Sequence, residues 1–195
     1  MKNAALQTLL KGKFSDTDAR LLEFFFIRHG TQSKFSYADI DLEVEDRNDM
    51  ILIGYEERLL LPFQIMTSPA WEDRALDFNP TGSYHVTTLA RQIKIVVEEQ
   101  EKFSRETILT GLFPELEQDK IHGLYLLLCD IMTNSSSFMF EAGLLKLYHE
   151  KYDFGLDLHK TLDLFVIGNL MSPCPQKSLI TGLSWYEISP ALFWG

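Results

Sequence analysis

The stretch from Phe113 to Tyr152 constrains this chain more than any other. It opens Phe113-Pro114-Glu115-Leu116-Glu117, runs into Leu124-Tyr125-Leu126-Leu127-Leu128, breaks at Asn134-Ser135-Ser136-Ser137 and resumes from Phe138 to Tyr152. Pro114 suits the first turn of a helix, where a missing N–H costs nothing. Glu115 and Glu117 complement the positive end of the helix dipole. The apolar run 124–128 goes all the way round a helix, which predicts burial on most sides. In the second segment Phe138, Ala142, Leu145, His149 and Tyr152 recur at steps of four and three. A helical hairpin over about 114–152 follows, and it reads as a core element to which the rest of the chain must conform.

The flanking segments supply more helix and one patch of another character. Residues 2–11 read as a short helix ended by Gly12. Ser15 can cap a second helix that runs through Phe24-Phe25-Phe26-Ile27 and closes at Gly30, with Arg28 and His29 at its negative end. The run Phe24–Ile27 is also compatible with a buried strand, since a short apolar run does not decide. Asp39-Ile40-Asp41-Leu42-Glu43-Val44-Glu45 alternates strictly, and apolar runs follow at 50–55 and 59–66 across charged turns. A small antiparallel β-meander over about 39–66 is the simplest arrangement, with Pro62 favouring an edge. Residues 68–82 read as a loop with one turn of helix near Trp71–Leu76. Val86, Leu89, Ala90, Ile93, Val96 and Val97 mark another helix, Ser104 to Gly111 a short one, and Asp157 to Met171 the last, ended by Pro173 and Pro175. No internal repeat, low-complexity tract or long linker is visible. The expectation is a predominantly helical α+β chain forming one globular domain, 1–195.

Charge and cysteine content exclude several function classes. With 28 acidic against 18 basic residues the formal net charge is -10, which argues against nucleic acid and anionic membrane surfaces as partners. A basic protein surface is compatible with that charge. Cys129 and Cys174 are the only cysteines. The first falls inside the apolar helix and reads as a small core residue, the second in a proline-flanked loop, so neither a disulfide nor a metal site is expected. The start lacks a signal-peptide core and no run is long enough for a membrane span, which predicts a cytoplasmic protein.

One motif carries chemistry. An apolar run ending Arg28-His29-Gly30-Thr31 resembles the nucleophile motif of the histidine phosphatase superfamily. The resemblance implies a phosphohydrolase in which His29 is phosphorylated and Arg28 holds the phosphoryl group. Ser68-Pro69 and Arg74-Ala75 are faintly similar to a later family segment. The second family histidine would be His122, in His122-Gly123, although the residues before it are polar rather than a buried strand. The same letters also follow from dipole and C-cap physics at a helix end.

The other histidines, 85, 149 and 159, lack metal-ligand spacing, and His149 on its apolar stripe reads as a core histidine bonded to a neighbour. No glycine-rich phosphate loop and no cofactor motif occurs. The favoured reading is therefore a non-enzymatic interaction or regulatory protein with a protein partner. Its candidate binding residues are aromatic: Trp185, Tyr186, Phe193 and Trp194 in the tail, with Trp71. The phosphohydrolase reading, with His29, Arg28 and His122, is the alternative.

Overall fold

The computed structural model describes residues 3–63, 69–76, 78–152 and 155–195. They form a mostly helical α+β chain with two small antiparallel sheets. Its contacts divide into two compact units: Met1–Thr67, Arg74–Ser104 and Trp194–Gly195 make the first, and Ser68–Asp73 with Arg105–Phe193 the second.

In the first unit α1 (Asn3–Lys11) and α2 (Asp16–Arg28) precede β1 (Lys34–Ser36), α3 (Val44–Glu56), β2 (Leu60–Pro62), β3 (Ser83–Val86) and α4 (Thr88–Gln100). Ser15 Oγ accepts the Asp18 N–H and Thr87 Oγ the Ala90 N–H, so both α2 and α4 start on hydroxyl caps. Leu6, Leu10, Leu22, Phe25, Phe26, Met50, Ile51, Leu89 and Ile93 are fully buried. Each such side chain contributes about 1.5–3 kcal/mol by leaving water. The run 24–27, open between helix and strand, is helix.

The meander expected over about 39–66 is not there. Residues 44–56 are helix α3, and only Leu60–Pro62 is strand. The charged segment 46–49 that read as a turn lies within α3. Glu45 and Asp46 sit in its first turn, where the helix dipole favours them. Met50, Ile51 and Gly54 then face the core at helical spacing. Alternation at three apolar positions was too little to outweigh that. Pro62 does lie on an edge strand, since the sheet order is β1-β3-β2; residues 64–66 of the same run are outside the described residues.

In the second unit α5 (Arg105–Leu112) and α6 (Gln118–Thr133) precede β4 (Met139–Glu141), α7 (Ala142–Lys151), α8 (Leu158–Ile167), β5 (Met171–Pro173), α9 (Pro175–Thr181) and β6 (Trp185–Ile188). The expected hairpin is present as α6 and α7, with the short strand β4 inserted at the break, but α6 begins at Gln118: Pro114 and Glu115 lie in the turn before it and Glu117 is its N-cap, so Pro114 opens no helix. The run 124–128 is less enclosed than its composition suggested: Leu124, Leu127 and Leu128 are buried, whereas Tyr125 and Leu126 are half-buried. The last predicted helix stops at Ile167, and Met171 begins a strand.

The two units have one connectivity, although the sequence shows no repeat. In each, a helix leads to a strand, then to a helix or helix pair, a second strand, a long connection and a third strand that lies centrally, as β1-β3-β2 and β4-β6-β5. The match extends to single hydrogen bonds. Val86 N–H donates to Ser33 O as Ile188 does to Phe138 O, Tyr37 N–H to Gly82 O as Ala142 does to Ser184 O, and Thr87 N–H to Leu59 O as Ser189 does to Leu170 O. Phe35 pairs with Tyr84 as Phe140 pairs with Tyr186, and Pro62 with Tyr84 as Pro173 with Tyr186.

Candidate functional site

His29 is the C-cap of α2, which places the motif Arg28-His29-Gly30-Thr31 at a helix end rather than at the end of a strand. The imidazole is only 4% exposed and stacks on Phe35 with ring centroids 4.3 Å apart. Gln32 Nε2 donates to Arg28 O, which leaves Gln32 Oε1 to accept from His29 Nδ1 at 3.2 Å. The ring therefore carries its proton on Nδ1, and Nε2 is a buried lone pair with no hydrogen-bond partner. Burial is the main cause of a lowered His29 pKa; Gln32 and Asp39 oppose the shift, and Arg28 adds to it.

Beside it lies a cleft of about 280 Å³ bounded by Phe24, Arg28, His29, Gln32, Asp39 and Asp41. The Ser36 hydroxyl and N–H hydrogen-bond Asp39 and hold its carboxyl below the usual range, so that oxygen pair is ionised. Neither imidazole nitrogen is presented to a phosphoryl group: Gln32 occupies Nδ1, and Nε2 is shut away from solvent. Two carboxylates on the lining would repel a phosphate as well. His122 belongs to the second unit. It is exposed on α6, with Nδ1 2.8 Å from Glu106 Oε1. Of the second resembling segment, Ser68 is outside the described residues.

The five candidate binding aromatics divide by burial. Trp71 is 1% exposed, and its backbone N–H donates to Ser172 Oγ at 2.8 Å. Trp194 is 4% exposed, packs edge-on against Phe14 and Phe26, and donates its indole N–H to Glu57 Oε2 at 3.0 Å. Both are buried in the core, since a large ring is as useful inside a protein as at an interface. Phe193 is half-buried, edge-on to Phe138. Trp185 and Tyr186 are half-buried on β6. Lys177 Nζ sits 3.8 Å over the Trp185 ring, and the indole N–H donates to Thr181 Oγ1.

That contact reveals a surface the sequence reading missed. Helix α9 fills the connection between β5 and β6. Pro175 opens it, Glu72 Oε1 accepts the Gln176 N–H, and Gly182 closes it at φ +71°, a conformation that favours glycine. Half-buried Ser178 and exposed Thr181 tie it to β6: Ser178 Oγ accepts the Trp185 N–H, and Thr181 Oγ1 accepts the Trp185 indole N–H. Its apolar residues face outward, so that Leu179 and Ile180 are each 85% exposed. Exposed Leu183 follows, and the Ala142 N–H bonded to Ser184 O joins this tip to α7, which exposes Leu144 and Leu147. The signal was present in the sequence as a Pro175 start and a Gly182 stop around Leu179-Ile180.

The cysteines lie in the expected segments, but Cys129 is less buried than a core residue. Cys129 is half-buried on α6, while Cys174 is buried as the N-cap of α9, where burial pushes its thiol up to about 11. Both are free. His149 is half-buried, with Nε2 3.3 Å from Thr161 Oγ1. Among the described residues no group of His, Cys, Asp and Glu is placed to hold a metal ion, and no helix is long and apolar enough to cross a membrane. No protein-family model matches this chain, and no curated protein or solved structure matches it significantly.

Proposed function

We infer that the chain is a non-enzymatic protein-interaction module, and that the outward apolar face of α9 is its contact surface. The observation that carries this reading is that α9, bonded to Trp185 through Ser178 and Thr181, buries none of its own residues and leaves Leu179 and Ile180 each 85% exposed. Exposed apolar clusters of this kind mark interaction sites. The charge distribution favours a protein over nucleic acid. In a helix-turn-helix reader the helix laid in the groove neutralises phosphates. Here α3, the helix before the second strand, carries Glu45, Asp46 and Asp49, and its Arg47 bonds inward to Leu42 O and lies over Tyr37.

The test is a photo-crosslinking residue placed at position 180 of the full chain in living cells, with position 99 on α4 as control. The reading expects one defined protein product from 180 and none from 99. No product from 180, or the same products from both, overturns it. Hydrolysis of a generic phosphomonoester across about pH 5–8 that disappears in His29→Ala would instead establish the phosphohydrolase.

A further inference from the structure

We propose that the α9 face is a self-association surface, and that its occupant is the same face of a second copy of this chain. The proposal deepens the interaction reading above and rests on it. Three observations select a second copy over another occupant. The first is area. Leu179, Ile180, Leu183, Leu144 and Leu147 together expose roughly 600 Å² of apolar surface, so two copies would bury on the order of 1,200 Å², the lower edge of a specific interface.

The second is charge. Two chains of net charge -10 repel wherever their carboxylates meet. Between Asp163 and Glu187 the sequence has no Asp or Glu at all, so β5, α9 and the tip form the longest acid-free part of the second unit. The nearest cation on the helix, Lys177, is spent on the Trp185 ring. The α9 part of the face carries no carboxylate, and on the α7 part exposed Lys146 stands 3.9 Å from Glu150, so the charges of the face balance and it is complementary to itself, as a two-fold interface requires.

The third is the use this chain makes of the equivalent connection. The segment between β2 and β3 contributes Ser68–Asp73 to the second unit, where Trp71 is buried and bonded to Ser172. The connection between β5 and β6 stands at the same place in the repeated connectivity and keeps its two apolar side chains outside. A second chain of the same fold supplies the surface that would cover them.

Sedimentation of the purified full chain over roughly a hundredfold concentration range tests this, because a dimer of this area dissociates on dilution. The expected result is a mass that rises from 22.5 kDa toward twice that value. Ile180→Lys and Leu179→Lys should each hold the chain as a monomer with an unchanged circular dichroism spectrum, since neither side chain is packed. Ile167→Lys, at another exposed apolar position, on α8, should leave the dimer intact. A wild-type chain that stays monomeric throughout, a dimer that survives Ile180→Lys, or one that Ile167→Lys also abolishes overturns the proposal. The crosslinking result distinguishes the two failures. A product from position 180 containing a different protein removes self-association and leaves the interaction module, whereas no product removes both.

Discussion

Replacing His29 with leucine should abolish a specific acid sensitivity of the fold at little cost at neutral pH. His29 is folded as the neutral ring, with a lowered pKa caused mainly by burial. In the unfolded chain it titrates near its ordinary 6.5. Below that pH the unfolded state binds a proton that the folded state refuses, so stability falls as pH falls. The slope is at most about 1.4 kcal/mol per pH unit, and it persists until the folded ring itself protonates. At pH 7.5 two opposed effects set the size of the substitution. Losing the hydrogen bond to Gln32 costs about 0.5–1.5 kcal/mol, and removing the unpartnered buried Nε2 relieves about 1–3 kcal/mol. His29→Leu should therefore lie there between about 0.5 kcal/mol less stable and about 2.5 kcal/mol more stable than wild type. Between pH 6.5 and 5 the variant should gain on wild type by roughly half a molar in urea midpoint per pH unit. The readout is the difference between the two proteins, in which the other titrating groups cancel. A difference that is flat across this range would refute the buried neutral ring, and one that shrinks toward acid would show the folded ring to be protonated.

Three further outcomes are expected. Gly30→Ala should lower the melting temperature, because the added Cβ would stand 2.6 Å from Phe26 O and 2.9 Å from Lys94 Cδ; the cost is about 1–3 kcal/mol by chemical denaturation. Burial raises the Glu57 pKa above its ordinary 4.5, with the Trp194 indole opposing the shift. The folded state thus holds a proton longer than the unfolded one, this contribution to stability is lost as pH rises through the raised value, and Trp194 emission should change over the same interval in wild type but not in Glu57→Gln. A thiol reagent at pH 7.5 should modify half-buried Cys129 well before Cys174, whose thiol is buried and titrates at about 11; peptide mapping after partial reaction decides the order.

The parts of the fold legible in sequence are those with local causes. Ser15 caps α2 through a hydroxyl three residues from its donor, and the α6–α7 hairpin follows from periodic leucines and a serine-rich break. Of the strands only Leu60–Pro62 was legible, within the run 59–66; the others were not, because each is three or four residues long and its partners lie far along the chain. Ser83–Val86 was absorbed into the helix that follows it, since Val86 continues the apolar stripe of α4 in sequence. The repeat was hidden for a related reason. The equivalent residues Phe35 and Phe140, Tyr84 and Tyr186, Pro62 and Pro173 stand at different offsets, because the connections between them differ in length. At the candidate site the letters around His29 were read correctly as a C-cap, but the burial that closes Nε2 depends on Phe35, outside the motif. The aromatic tail misled, because aromatic content does not tell an inside ring from an outside one.

The repeated connectivity can be tested at one turn that it builds twice. After α3 the chain passes through Arg58 at φ 58°, and after α8 through Asn169 at φ 56°. In both places the next residue bonds back into the last turn of the helix, Leu59 N–H to Gly54 O and Leu170 N–H to Phe165 O. This is the left-handed helix stop that glycine fills best. Asparagine tolerates a positive φ, whereas a longer side chain pays about 1–2 kcal/mol for it. Arg58 recovers part of that cost through its bond to Tyr55 O and its position 4.6 Å over the Tyr55 ring. Asn169→Gly should therefore be near neutral, and Arg58→Gly should stabilise by up to about 1 kcal/mol less the lost contacts. Valine, whose branched Cβ resists this conformation, should destabilise at either position by more than about 1 kcal/mol. The decisive comparison is the pair of valine variants, read as melting temperatures. If valine is costly at one turn and tolerated at the other, the two stops are not the same structure, and the equivalence of the two units fails at the point where their hydrogen bonds match most closely.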